Sequence, residues 1–82
     1  MKEPTWLDWT VVSETPDEKV LTAQGNPRRF RIRGKRTGDR WDWKLYMGSI
    51  LASKDMTIGV EAEVKRLAQC IQDAWDRSDG NV

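Results

Sequence analysis

The sequence predicts an α+β domain in which an antiparallel β-meander of four to five strands is packed on one face by a single C-terminal α-helix. Apolar and polar residues alternate through the middle of the chain, most clearly in residues 28–47, which read RRFRIRGKRTGDRWDWKLYM. Such alternation is typical of strands buried on one side. The last third changes to a repeat of three and four residues, which indicates an amphipathic helix.

Two strands joined by a basic loop form the strongest local signal. We predict them at about residues 28–34 and 40–47, with a loop from Lys35 to Asp39 in which Gly38 adopts the left-handed conformation. One face of this hairpin is apolar, because it carries the side chains of Phe30, Ile32, Trp41, Trp43, Leu45 and Met47. The helix needs an apolar surface to cover, and this face is the large one available.

Three further strands complete the predicted meander. The segment TWLDWTVV, at about residues 5–12, is rich in tryptophan and β-branched residues, which favour strands. The segment at about 18–23 lies between the turn signals SETPD and QGNP, and it is too short to nucleate the alternative helix. A brief strand at about 50–53 follows Gly48 and Ser49.

The helix is predicted at about residues 58–76. Its apolar stripe contains Val60, Val64, Leu67, Ala68, Ile71 and Trp75, and we expect Glu61, Lys65, Gln69, Gln72 and Asp76 to lie off that stripe. Thr57 or Asp55 is the expected N-cap, and Glu61 is placed to pair with Lys65 one turn later. We expect the tail, residues 77–82, to be frayed.

Composition limits the chemistry that is available to this chain. Its 82 residues predict one domain, 1–82, and they include one cysteine and no histidine. An intrachain disulfide, a Cys/His pair and the usual zinc-ligand sets are therefore excluded, and Cys70 is expected to be a small semi-buried residue. We predict no enzymatic activity, no catalytic residue, no metal and no cofactor. No apolar run approaches 18 residues, so we expect a cytoplasmic protein that does not enter the membrane.

A concentrated basic segment is the main functional signal. Seven of the 14 basic residues fall within positions 28–40, where Asp39 is the one acidic residue. Alternation places Arg29, Arg31 and Arg33 on one face at a spacing of about 6.6–7 Å. The predicted binding residues are Arg29, Arg31, Arg33, Lys35, Arg36, Arg40 and Tyr46, the last as a stacking surface.

Three interpretations of this basic face are open. The charges could simply protect a strand edge against aggregation, with Glu18 and Asp42 neutralising part of the row. They could bind an acidic protein or a protein–nucleic-acid complex. They could also contact nucleic acid directly, because their spacing resembles that of successive phosphates on one strand and Tyr46 could stack on a base.

The first two tryptophans raise a separate question. Trp6 and Trp9 point to opposite faces of an extended segment, so both cannot enter one core and one of them should be partly exposed. An exposed tryptophan suits a protein contact. Strand addition at an exposed edge would give a homodimer as a further alternative.

The segment Trp41 to Trp75, WDWKLYMGSILASKDMTIGVEAEVKRLAQCIQDAW, resembles a pattern found among small phage and prophage proteins. In these proteins a tryptophan-rich strand and a short second strand precede a helix opened by Glu, Ala and Lys. The group includes anti-CRISPR inhibitors and other phage-encoded antagonists. The resemblance implies a non-enzymatic binding protein that inhibits or regulates a macromolecular partner, such as a host nuclease complex, through its basic sheet face.

Overall fold

A computed structural model describes residues 5–80 of the chain. In this part the elements are β1 (Thr10–Glu14), β2 (Glu18–Ala23), β3 (Phe30–Thr37), β4 (Arg40–Met47), β5 (Ile50–Leu51) and α1 (Glu61–Gly80). The strands form one antiparallel sheet in the order β1-β2-β3-β4-β5, so each strand lies beside its neighbour in sequence. The predicted α+β meander with a C-terminal helix is confirmed.

The core lies between the helix and the apolar face of the hairpin, as the sequence predicts. Phe30, Ile32 and Leu45 of the sheet are fully buried against the helix residues Val64 and Ala68. The buried cluster is completed by Leu21, Trp43 and Ile58, and Trp75 of the helix stacks on Phe30 with 5.2 Å between ring centroids. Burial of these large side chains is the main stabilising contribution in so short a chain.

The β3–β4 hairpin is longer than predicted. Its turn consists of Gly38 and Asp39 alone, and Gly38 has the positive φ of 64° that the sequence predicts for it. A two-residue turn with glycine in the first position matches the right-handed twist of the strands it joins. The expected loop from Lys35 is therefore wrong at its start, because Lys35, Arg36 and Thr37 continue the ladder opposite β4.

The first strand begins five residues later than predicted. The backbone of residues 5–7 bonds to the helix instead of to a strand: the N–H of Thr5 donates to Asp76 and the N–H of Leu7 donates to Gln69. Sheet pairing starts only at Thr10, with a shift of register between Val11 and Ser13 that marks a β-bulge.

The segment between β4 and the helix also departs from the prediction. β5 has two residues rather than four, because the N–H groups of Ala52 and Ser53 turn back to the carbonyl of Leu45. The predicted start of the helix at Ile58 is wrong, because the carbonyl of Ile58 accepts the N–H of Trp43 and holds the chain beside β4.

The helix therefore starts at Glu61, and the carbonyl of Val60 accepts the first bonds of its opening turn. Thr57 and Asp55 lie too far from this start to cap it. Toward the other end the helix continues to Gly80, so its predicted end at residue 76 is four residues too early, and fraying of the tail stays a prediction. Once a helix is nucleated, each further residue adds one backbone hydrogen bond. Residues 81 and 82 lie outside the described part.

The helix stripe is confirmed except at its margins. Val60 is outside the helix and half exposed, whereas Gln72, predicted to lie off the stripe, is fully buried. Cys70 is exposed and not semi-buried as predicted. The expected ion pair between Glu61 and Lys65 is present at 3.9 Å. Between residues 5 and 80 there is no helix of the length and apolarity needed to cross a membrane.

Candidate binding face

The side of the sheet opposite the helix carries the basic residues. In the ladder between β3 and β4, Arg31 is opposite Tyr46, Arg33 opposite Lys44 and Lys35 opposite Asp42. Since directly paired residues share a face, and residues two apart do also, these side chains form one surface. We call it the open face, and it comprises Glu18, Val20, Thr22, Arg31, Arg33, Lys35, Thr37, Arg40, Asp42, Lys44 and Tyr46.

Most of the predicted site residues meet on this surface. Arg31, Arg33, Lys35 and Arg40 are exposed, and Tyr46 is half-buried between the strand ends. Arg29 is exposed just before β3, where its carbonyl accepts the N–H of Gly48. Of the row that the alternation predicts, Arg31 and Arg33 are therefore held on a regular strand that no other described element covers on this side, and Arg29 precedes that strand.

Arg36 does not belong to this surface. In the ladder it lies opposite Trp41. Two residues earlier on the same face of β3 is Gly34, which lies opposite the buried Trp43. Arg36 thus projects on the helix side, and its Nε donates to the carbonyl of Gly38 at 2.8 Å. Arg36 therefore lies apart from the other predicted site residues, because the strand continues through Lys35 and alternation then sends the next side chain to the other face.

Lys44 is the residue that the predicted set lacks. It lies between Asp42 and Tyr46 on the same face and directly opposite Arg33. Two-residue alternation along β4 already indicates this placement, so the signal was present in the sequence. The open face therefore carries five basic residues of β3 and β4, namely Arg31, Arg33, Lys35, Arg40 and Lys44.

Two contacts organise the basic side chains. The guanidinium of Arg31 lies over the ring of Tyr46, 5.0 Å from its centroid, which is a cation–π arrangement. Arg33 Nη2 lies 3.1 Å from Glu18 Oε2 of β2. Both partners of that ion pair are more than a third exposed, so it contributes at most about 1 kcal/mol. Within residues 5–80, Lys35, Arg40 and Lys44 have no ion-pair partner.

No protein-family model, curated protein sequence or solved structure matches this chain. The resemblance to phage-borne inhibitors therefore stays a prediction. The functional argument therefore depends on the geometry of the open face and of the neighbouring surfaces.

A groove of about 570 Å³ opens on the helix side of the sheet, near the β1–β2 turn and the start of the helix. Its walls are formed by Glu14, Thr15, Pro16, Lys19, Trp41, Trp43 and Glu61. Trp41 and Trp43 stack with their ring centroids 5.4 Å apart. Lys19 Nζ lies 2.9 Å from Glu61 Oε1 and 3.5 Å from Glu14 Oε2, so the charges of the groove are paired with one another.

The pKa of Lys19 is raised above its usual value, chiefly by the hydrogen bond to Glu61. The two ion pairs of Lys19 connect the β1–β2 hairpin to the start of the helix. In the described part of the chain, His, Cys, Asp and Glu side chains form no group of three or more that could hold a metal ion. The groove has the character of a structural junction, whereas the open face has basic groups without partners.

Trp6 and Trp9 differ as the sequence predicts. Trp6 is 74% exposed, whereas Trp9 is half-buried and packs against the core. The backbone on both sides of Trp6 is held to the helix, because Gln69 bonds both the carbonyl of Thr5 and the N–H of Leu7. The large apolar ring of Trp6 is therefore exposed to solvent on a segment whose backbone is hydrogen-bonded to the helix.

Proposed function

We propose that this chain is a non-enzymatic binding protein that engages an acidic macromolecular partner, and inhibits or regulates it, through the open face. The observation that carries the proposal is the arrangement of Arg31, Arg33, Lys35, Arg40 and Lys44 on one regular, exposed sheet surface. The sheet positions these groups before binding, which lowers the entropic cost of association. Arginine and lysine held in this way pair readily with carboxylates and phosphates.

A protein is the partner class that this charge pattern favours. Glu18 and Asp42 lie among the cations of the open face. A continuous run of phosphates would meet these two carboxylates, whereas a protein surface can place a neutral or basic group beside each of them. Trp6 is also exposed, on the segment that is bonded to the helix and outside the open face, and it could extend the contact with a protein partner, since tryptophan often anchors protein interfaces.

The resemblance of Trp41–Trp75 to phage-encoded antagonists makes a host nuclease complex in the cytoplasm the first partner to test. Tagged protein is used to capture partners from a host lysate, and bound proteins are quantified by mass spectrometry. The variant Arg31→Glu/Arg33→Glu reverses two charges on the open face. Its matched control, Arg36→Glu/Arg66→Glu, makes the same charge change at exposed positions on the helix side of the sheet and on the helix.

We expect a specific partner to be captured by the parent and control proteins and lost with the open-face variant. Circular dichroism confirms that both variants remain folded. Equal capture by the two double variants would remove the open face from the binding site and contradict the proposal.

Direct binding to nucleic acid is the second candidate. It is favoured by the spacing of Arg31, Arg33 and Lys35 along β3, about 6.6–7 Å per step, and by the ring of Tyr46 beside them. This alternative predicts an affinity that falls steeply with added salt. Gel-shift titrations at low salt with single- and double-stranded DNA and RNA test it, and the absence of a shift in all of them would exclude it.

A further inference from the structure

Two like charges face each other at the centre of the open face. Arg33 and Lys44 are directly opposite in the β3–β4 ladder, which places their Cβ atoms about 4.5–5.5 Å apart, and such like-charge pairs are unfavourable. The ion pair of Arg33 runs to Glu18 of β2, on the side of β3 away from Lys44. Lys44 has no ion pair within residues 5–80, so an anion bound between the two would relieve the repulsion.

The surface between these two residues is concave. A depression of about 230 Å³ is lined by Arg33, Lys35, Asp42, Lys44 and Tyr46. Pockets for small molecules and cofactors are usually about 300–1,000 Å³, so this depression suits one functional group at the end of a side chain. Three cations and one carboxylate surround it, which leaves a net attraction for a single anionic group.

The cations beside the depression have the repeat of an extended peptide. Arg31, Arg33 and Lys35 follow one another at every second residue of β3, at about 6.6–7 Å. An extended peptide presents alternate side chains with the same repeat. Acidic residues at every second position of such a segment would therefore align with the row, and the intervening residues would face away from it.

We propose that the depression lined by Arg33, Lys35, Asp42, Lys44 and Tyr46 is a subsite for one carboxylate of an extended acidic segment of the partner protein. The neighbouring acidic residues of that segment pair with Arg31 and Lys35. Asp42 repels a second anionic group placed next to the first. The subsite therefore favours a segment whose acidic groups are spaced apart over a continuous polyanion such as a nucleic-acid strand. This inference rests on the proposed function, since it specifies what the open face recognises.

The test uses the full chain labelled with nitrogen-15 and three probes at low ionic strength. The first probe is a synthetic peptide with glutamate at three alternate positions separated by threonine. The second has glutamine in place of each glutamate, and the third is a short oligothymidylate. We expect the glutamate peptide to give saturable shifts at the amides of Arg33, Lys35, Lys44 and Tyr46, and the glutamine peptide to give none.

Variants at one position then isolate the subsite. Lys44→Glu should weaken binding of the glutamate peptide by at least about tenfold, and Lys44→Gln by less, because the first reverses the charge and the second only removes it. The control Arg36→Glu, on the helix side of the same hairpin, should change the affinity by less than about twofold. Amide spectra show directly whether each variant is folded.

The outcomes separate this inference from the proposed function. Binding at the open face that Lys44→Glu and Arg36→Glu weaken equally would overturn the subsite while leaving the function of the face intact. Shifts spread evenly over exposed cations, including Arg66 of the helix, would overturn the subsite as well. An oligothymidylate that binds the same amides more tightly than the glutamate peptide would overturn the assignment to a protein segment.

Discussion

The side-chain amide of Gln72 is hydrogen-bonded in both directions to the backbone of Asn26. Gln72 Nε2 donates to the carbonyl of Asn26 and the N–H of Asn26 donates to Gln72 Oε1, each at 2.9 Å. Gln72 is fully buried in the middle of the helix, 46 residues away in sequence. This pair joins the turn between β2 and β3 to the helix and thereby fixes the strand that carries the basic row.

Replacing Gln72 by leucine should therefore destabilise the fold. The substitution removes both bonds to Asn26 and the bond from Gln72 Nε2 to Asp76 Oδ1. It leaves backbone groups of a partly buried turn without their partner, so we expect a loss of about 1–3 kcal/mol in the free energy of unfolding. Urea denaturation followed by circular dichroism measures it. Arg66→Leu, on the exposed side of the same helix, should change stability by less than about 0.5 kcal/mol. A Gln72→Leu protein as stable as the parent would show that the pair makes no net contribution.

Gly34 is required by the packing of Trp43. A Cβ atom built on Gly34 would lie 2.4 Å from Cζ3 of the Trp43 ring, which is opposite it in the ladder. Gly34→Ala should therefore displace this ring and cost about 1–3 kcal/mol, with a changed near-ultraviolet circular dichroism spectrum. At Gly59 a Cβ would meet only the carbonyl of Trp41, at 4.0 Å, so Gly59→Ala should be neutral or slightly stabilising. Similar losses at the two sites would contradict the steric explanation.

The side chain of Ser53 bonds a backbone group of β4 that the short strand β5 does not reach. β5 ends at Leu51, and the buried Oγ of Ser53 accepts the N–H of Leu45 at 3.0 Å. Ser53→Ala leaves that buried donor unsatisfied, so stability should fall by about 1–3 kcal/mol and the Leu45 amide should exchange with solvent faster. The exposed Ser49 offers the control, because Ser49→Ala removes a hydroxyl from the neighbouring turn. Unchanged exchange at Leu45 would show that this bond is dispensable.

Lys44→Glu should weaken binding while leaving the fold as stable as before, or more so. The substitution converts the unfavourable Arg33–Lys44 pair into an opposite-charge pair, worth about 0.2–1 kcal/mol across a ladder. Thermal unfolding at low and high salt measures the effect, which should diminish as salt screens the charges. A variant less stable than the parent would show that Lys44 is not repelled by Arg33, and would remove the reason to place an anion between them.

Substitutions of Trp6 and Trp9 should have different effects on the free energy of unfolding. Trp6→Ala should change the free energy of unfolding by less than about 0.5 kcal/mol, because the side chain is 74% exposed. Trp9→Ala should cost at least about 1 kcal/mol, since it removes packing against the core. Iodide quenching checks the assignment, and Trp6→Phe should remove the most quenchable part of the tryptophan fluorescence. A large loss of stability in Trp6→Ala would mean that its ring supports the fold.

Local patterns predicted most of the secondary structure. Residues 18–23 and 40–47 form strands with the expected bounds, because alternation and turn chemistry act between near neighbours in sequence. The errors occur where distant residues compete. Thr5 and Leu7 bond to helix side chains more than sixty residues away, and no property of TWLDWTVV indicates that partner.

The same distinction explains the candidate site. Arg31, Arg33, Lys35, Arg40 and Tyr46 share a face because adjacent side chains of a strand point to opposite sides. Grouping Arg36 with the basic face depends on a loop that begins at Lys35. The turn has only two residues, so Arg36 stays within β3 and alternation places it on the helix side. The repulsion between Arg33 and Lys44 depends on the register of two strands, which pairing across the sheet decides.

The sequence by itself determined the meander, the terminal helix and the division of the hairpin into an apolar and a basic side, since each depends on side-chain periodicity along a single segment. Only the tertiary structure decided that Gln72 is buried, that the N-terminal segment lies against the helix and that Lys44 faces Arg33 beside a depression. These features arise where segments distant in sequence meet. Their energies come from specific hydrogen bonds, packing and strand register, none of which a local pattern can express.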